Sequence, residues 1–132
     1  MIFLDTSALI KRYVAEVGSD LVVRYMHGDP DWAASMLART ETRVTLCHRG
    51  PEGMPGSPDQ RRLADDWDRF TAVPIDEECL ASAESIGCRQ GLRTLDAIHL
   101  AAAHRLPTVT FLSFDRRQLA AARALGLVVA AI

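Results

Sequence analysis

Apolar and polar positions alternate along this chain in two rhythms. A four-residue apolar run, "MIFL", opens it and stops at Asp5, which predicts a buried strand. In "TSALIKRYVAEVG" the apolar residues Leu9, Ile10, Tyr13, Val14 and Val17 fall at helical spacing, and Gly18 is placed to end that helix. Leu21, Val22, Tyr25 and Met26 mark a second short helix from Ser19, closed by Gly28, Asp29 and Pro30. "WAAS" (32–35) predicts a second strand, and 36–49 a helix carrying Met36, Leu37, Val44 and Cys47. "GPEGMPGSP" (50–58) holds three Gly and three Pro, and is expected to be an irregular, mobile loop.

Beyond that run a helix resumes over 59–72, with Leu63, Trp67 and Phe70 as its apolar stripe. "VPI" (73–75) predicts a third strand and 76–91 a helix with an acidic start. Thr94 is expected to cap a helix running to His104. "TVTFLSFD" (108–115) is rich in β-branched and aromatic residues and predicts a strand. A helix over 116–126 and a strand over 127–132 follow. Strands alternating with helices imply an α/β protein with a parallel sheet covered on both faces. In such a sheet the working site lies beyond the carboxyl ends of the strands, where strand order reverses.

That rule sorts the carboxylates. Asp5 and Asp115 each follow a predicted strand directly, and Asp96 opens the helix leading toward the second of them. Glu41 lies inside the helix after "WAAS". Asp96 sits in an otherwise Leu/Ala/Ile helix, where it can serve as a dipole partner in the first turn or as a ligand. Asp65, Asp66 and Asp68, interleaved with Arg61, Arg62 and Arg69, read as a solvated helix face, as do Glu77, Glu78 and Glu84. Convergent carboxylates without a Cys or His pair suit a hard divalent cation such as Mg²⁺ or Mn²⁺. Their mutual repulsion has to be offset by a cation or by protonation.

Composition trims the alternatives. At 132 residues, 48% hydrophobic and 24% charged, the chain is expected to form one domain, 1–132. A net charge of −2 is not the footprint of a strongly basic nucleic-acid binder, although acids gathered into one pocket would leave the remaining surface slightly positive. Cys47, Cys79 and Cys88 form no C-x-x-C and are expected to be reduced thiols in a cytoplasmic protein. His27, His48, His99 and His104 make no i, i+4 pair of the zinc type, and His99 reads as a partly buried structural histidine. The apolar start is too short for a signal peptide, and no run is long enough to span a bilayer. Lys11, Arg12, Arg116 and Arg117 flank the acidic positions and are candidate contacts to a phosphate backbone.

Four stretches carry a resemblance. "IFLDTSALIKRYV", "SMLARTETRV", "LRTLDAIHLAAA" and "FLSFDRRQLAAARALGL", in this order and spacing, are similar to the PIN-domain nucleases and, among them, to the VapC-type toxins of prokaryotic toxin–antitoxin pairs. The resemblance implies a three-layer α/β/α domain around a parallel sheet of about five strands. It implies a Mg²⁺- or Mn²⁺-dependent endoribonuclease whose catalytic and metal-holding residues are Asp5, Glu41, Asp96 and Asp115, with Thr6, Ser7 and Ser113 in support. It also implies homodimers and a VapB-type antitoxin whose tail covers the active site. One departure is visible: relatives continue the Glu-bearing helix into a helical hairpin that helps form the dimer and antitoxin surface, whereas here that region holds the Gly/Pro run 50–58.

Two other functions fit the same pattern less well. One is an aspartyl-phosphate phosphoryl-transfer domain of the receiver or haloacid-dehalogenase-like kind; the latter normally begins Asp-x-Asp, where this chain has Asp5-Thr6-Ser7, and nucleotide-cofactor binding is weaker still because no glycine-rich loop follows the first strand. A catalytically inactive binding module of the same fold is the other, and the presence of all four acids weighs against it.

Overall fold

In the computed structural model, residues 1–130 are described. Five strands form one parallel sheet: β1 (Ile2–Leu4), β2 (Trp32–Ser35), β3 (Phe70–Val73), β4 (Thr110–Leu112) and β5 (Val128–Val129), in the order β3-β2-β1-β4-β5. The chain builds outward from β1 to one edge and then returns to build the other. The strand order therefore reverses beside β1, between β1 and β4. Register aligns Phe3 with Ala33 and with Phe111.

Side chains on a strand point alternately to the two faces, and the core divides accordingly. Phe3, Ala33 and Phe111 lie in one buried cluster with α5 (Glu77–Gln90), α6 (Thr94–His104) and α7 (Arg116–Ala124). Ile2, Leu4, Trp32, Ala34 and Leu112 lie in the other with α1 (Thr6–Leu9), α2 (Ser19–Gly28), α3 (Met36–Cys47) and α4 (Pro58–Trp67). This is the expected three-layer α/β/α arrangement. The Phe3 and Phe111 rings stack at 5.8 Å on the first face, and Trp32, Phe70 and Trp67 form an aromatic row on the second. Among the described residues no helix is long and apolar enough to cross a membrane.

The first helix is shorter than its periodicity predicts. It ends at Leu9 and passes into a 3₁₀ turn, Ile10–Arg12. Local side-chain bonds win over helix continuation: Lys11 Nζ reaches Glu16 and the Val17 carbonyl, and Ser19 Oγ donates to the Val14 carbonyl. Gly18 does not end that helix but precedes α2, at φ +97°, where an added Cβ would lie 2.6 Å from the Phe114 ring. Val17 is consequently 92% exposed and off the apolar stripe.

Phe70 begins β3 instead of continuing the preceding helix, so the third strand lies three residues earlier than "VPI". Pairing with β2 and packing of its ring on Trp32 override helical spacing here. Thr94 is the first residue of α6, not its cap; Arg93 holds the cap position, with no side-chain hydrogen bond. The strand expected over 108–115 is confined to Thr110–Leu112. In the strand expected at 127–132, residues 131 and 132 lie outside the described residues.

The run 50–58 is more ordered than its composition predicts. It forms a 3₁₀ turn, Pro51–Gly53, and Ser57 then caps α4 with Pro58 in the first turn. The buried Gln60 side chain donates to the carbonyls of Gly53 and Arg43, which ties the turn to α3. α3 and α4 pack on each other, so the Gly/Pro run connects a helix pair instead of abolishing one.

Candidate active site at the carboxyl edge of the sheet

β1 and β4 end side by side at the point where strand order reverses, and Asp5 and Ser113 are the residues immediately beyond them. Asp5 is fully buried and caps α1: Oδ1 accepts from the Ala8 amide (3.0 Å) and the Ser7 hydroxyl (2.7 Å), and Oδ2 from the Ser113 hydroxyl (2.6 Å). Burial raises its pKa, against the opposing pull of these donors and of His99. Ser113 Oγ also accepts from the Asp115 amide (3.0 Å), joining two of the expected acids.

Glu41 projects from α3, and its Oε1 takes two donors, the Thr6 hydroxyl at 2.5 Å and His99 Nε2 at 2.7 Å. Burial raises its pKa, but the His99 and Thr6 hydrogen bonds outweigh that, and the net direction is downward. Asp96 lies in the first turn of α6 and accepts from Gln118 Nε2 (3.2 Å), with Arg93 Nε 3.9 Å away. Burial, then the Asp115 charge, raises its pKa; Arg93 and His99 oppose this and the Glu41 charge adds to it. Asp115 caps α7, accepting from the amides of Arg117 (2.8 Å) and Gln118 (3.1 Å). Gln118 thus bridges two acids, with its backbone on Asp115 and its side chain on Asp96.

Asp5, Glu41, Asp96 and Asp115 therefore meet at one edge, and Thr6, Ser7 and Ser113 are their hydroxyl donors. Among the described residues, however, no three Asp, Glu, His or Cys side chains converge closely enough to hold a single ion directly. The donor set is all oxygen. Among the described residues no hydrogen bond reaches Glu41 Oε2 or Asp115 Oδ2. Such a set suits a hard cation that keeps several of its waters and uses only one or two carboxylates directly.

The candidate phosphate contacts divide. Arg116 and Arg117 are exposed. Lys11 is held by Glu16, the Val17 carbonyl and the Phe114 ring. Arg12 forks onto Asp66 (Nε to Oδ2 2.7 Å, Nη2 to Oδ1 3.2 Å), and Tyr13 donates to the same carboxylate (2.8 Å). Asp66 is thus a structural ion-pair partner and not part of a solvated face. Burial alone would raise its pKa, but the Arg12 and Tyr13 bonds prevail and lower it. A depressed carboxylate stabilises the fold above its unfolded pKa, and the contribution is lost as pH falls through the folded value. Asp66→Asn should therefore cost about 1.5–3 kcal/mol at neutral pH. The difference in thermal midpoint from wild type should shrink under acid; a pH-independent difference would refute the charge-based account.

The sequence reading leaves out Ser35 and Gln118 and takes His99 as structural, yet all three join this network. His99 follows Asp96 by one helical turn, which was a usable signal. Ser35 and Gln118 carry no signal of their own.

The PIN domain family model matches residues 2–124. The chain belongs to the PIN-domain family. Relatives of this PIN domain include Ribonuclease VapC47 and Ribonuclease VapC46 of Mycobacterium tuberculosis, each 35% identical, with 98% of this chain and 96% of the relative covered. Ribonuclease VapC35 of the same organism is 34% identical, over 99% of this chain and 96% of that protein. Among solved structures, a toxin–antitoxin complex from Klebsiella pneumoniae shares the PIN fold at a TM-score of 0.71, with 18% identity and 91% of each chain covered. The Pyrobaculum aerophilum protein PAE2754 does so at 0.70, with 18% identity, 97% of this chain and 87% of that one.

Proposed function

We propose that this PIN domain is a metal-dependent endoribonuclease toxin, with Asp5, Glu41, Asp96 and Asp115 as its catalytic and metal-holding residues. The observation that carries the reading is the connected acidic network: carboxylates from four elements, tied through Ser113, Thr6, His99 and Gln118 around a buried Asp5. The names of the VapC relatives and the toxin–antitoxin neighbour supply the substrate class and the antitoxin partner. The ion is Mg²⁺ or Mn²⁺, which when bound supplies an activated water and stabilises charge on the phosphate. Ser7 and Ser113 fix Asp5, Thr6 fixes Glu41, and Gln118 sets Asp96 relative to Asp115. Arg116 and Arg117, exposed at the start of α7, would meet the RNA backbone. Lys11 and Arg12 act at one remove, holding the segment after α1. On this reading residues 1–132 form one domain, which pairs as a homodimer and acts in the cytoplasm.

An aspartyl-phosphate mechanism fits less well. Asp5 is followed by Thr6 and Ser7, so the second aspartate of an Asp-x-Asp pair is missing from the end of β1. The test is cleavage of a mixed RNA pool with and without Mg²⁺ or Mn²⁺. Cleavage should require the ion and vanish in Asp5→Asn; equal cleavage in excess chelator would sink the metal mechanism.

A further inference from the structure

His99 is a buried titratable side chain at this edge whose role the four acids do not explain. It is 2% exposed, on a helix whose neighbouring residues Leu100, Ala101, Ala102 and Ala103 are core. Most side-chain hydrogen bonds in a protein go to backbone or water. Here both ring nitrogens meet side chains: Nε2 lies 2.7 Å from Glu41 Oε1 and 3.2 Å from Thr6 Oγ1, and Nδ1 lies 3.1 Å from Ser35 Oγ.

We infer that His99 is a positioning residue that orients the Glu41 carboxylate for the reaction, in a directional relay running Ser35, His99, Glu41. The inference rests on the nuclease reading above. An ionised carboxylate only accepts, so the ring carries its proton on Nε2. Nδ1 then faces a fully buried hydroxyl that makes no capping bond to α3 and is free to take the complementary role. Two donors on one oxygen, His99 and Thr6, fix the plane of the carboxylate and leave Oε2 as its open oxygen. This restraint is needed because Glu41 has a long flexible side chain and carries the same charge as Asp96 nearby. Without the ring, repulsion would turn the carboxylate toward solvent. A partner that orients a ligand in this way is commonly worth about 10–100-fold in metal affinity or activity.

The experiment compares wild type, His99→Leu, His99→Gln and Ser35→Ala, with folding checked by circular dichroism. In metal-free protein, the imidazole Nε2–H resonance should be protected from exchange and should move in Glu41→Gln; an unprotected or unmoved resonance overturns the inference. Mn²⁺ affinity, read by electron paramagnetic resonance, should fall about tenfold or more in His99→Leu, with kcat falling and KM for RNA little changed. His99→Gln, which can return an N–H near the Nε2 position, should recover most of the loss. Wild-type Mn²⁺ affinity in His99→Leu, or a folded His99→Gln as impaired as His99→Leu, overturns the inference. If His99→Leu does not fold, Ser35→Ala decides: a smaller loss in the same direction supports the relay, and unchanged Mn²⁺ affinity refutes it. Protein that binds Mn²⁺ in this pattern yet cuts no RNA fails the nuclease reading alone.

Discussion

Asp96→Asn will cleave RNA on the order of a hundredfold more slowly than wild type, a loss of about 3 kcal/mol of transition-state stabilisation, while its metal-free form unfolds no earlier. The two halves of this result come from one side chain. Burial and the charges of Asp115 and Glu41 raise the Asp96 pKa, against Arg93 and His99. A raised carboxylate contributes stability that is present below its unfolded pKa and lost as pH rises through the folded value. At neutral pH the ionised form is therefore a burden on the metal-free fold. The amide removes that burden and can still accept from Gln118. Working the other way, Asp96 occupies the first turn of α6, where the dipole favours a negative charge by about 0.3–1 kcal/mol. If the dipole were its whole role, Asp96→Asn would melt lower and cut normally. Thermal unfolding in chelator and in Mg²⁺, beside RNA cleavage, separates the two; a variant that melts lower in chelator and cleaves at wild-type rate returns Asp96 to a purely structural role.

Gly53→Ala will be the most damaging conservative change outside the acidic site. Gly53 is buried in the turn between α3 and α4, and a Cβ there would lie 1.7 Å from the carbonyl oxygen of Leu46 and 2.5 Å from its carbon. Backbone cannot yield as a side-chain tip can. The turn would have to move away from α3, and the Gln60 bridge to Gly53 and Arg43 would stretch or break. Overpacking of this kind costs about 3 kcal/mol or more, a fall in thermal midpoint of roughly 10 °C for a chain of this size. Gly28→Ala is the control, because a Cβ there meets nothing within 4 Å. Equal midpoints for the two variants would mean that the turn is as loose as its Gly/Pro content suggests.

The candidate acids were legible where a local rule places them. Asp5 directly follows β1, Asp115 lies three residues past β4 and Asp96 opens a helix, so the topology of an open α/β sheet nominates them before any contact is known. Glu41 is mid-helix, and only its bonds to Thr6 and His99 tie it to the others. Some residues take their meaning entirely from partners distant in sequence. Arg12 flanks Asp5 and reads as a substrate contact, but a carboxylate 54 residues away claims it. Gln118 looks like a surface residue of an amphipathic helix until Asp96 is placed opposite it. Phe70 satisfies helical spacing with Leu63 and Trp67 and also suits a strand, and pairing with β2 settles the matter. In the run 50–58, Gly and Pro announced a turn, but its order comes from Gln60, whose side chain reaches back to α3.

The hydrogen bond from Ser113 to Asp5 spans 108 positions in the chain, and this sets when the site can exist during synthesis. β1 can pair with β2 once the first part of the chain has emerged, but its other neighbour, β4, is made much later. A domain generally folds as a unit, and non-local strand pairing is slow because the intervening loop must close first. Until β4 and the start of α7 are in place, Asp5 lacks its Ser113 donor, Asp115 has no helix to cap, and Asp96 has no Gln118. Four acids held apart in an unfinished chain cannot act together. The order of the strands thus delays the assembly of the acidic edge until late in translation.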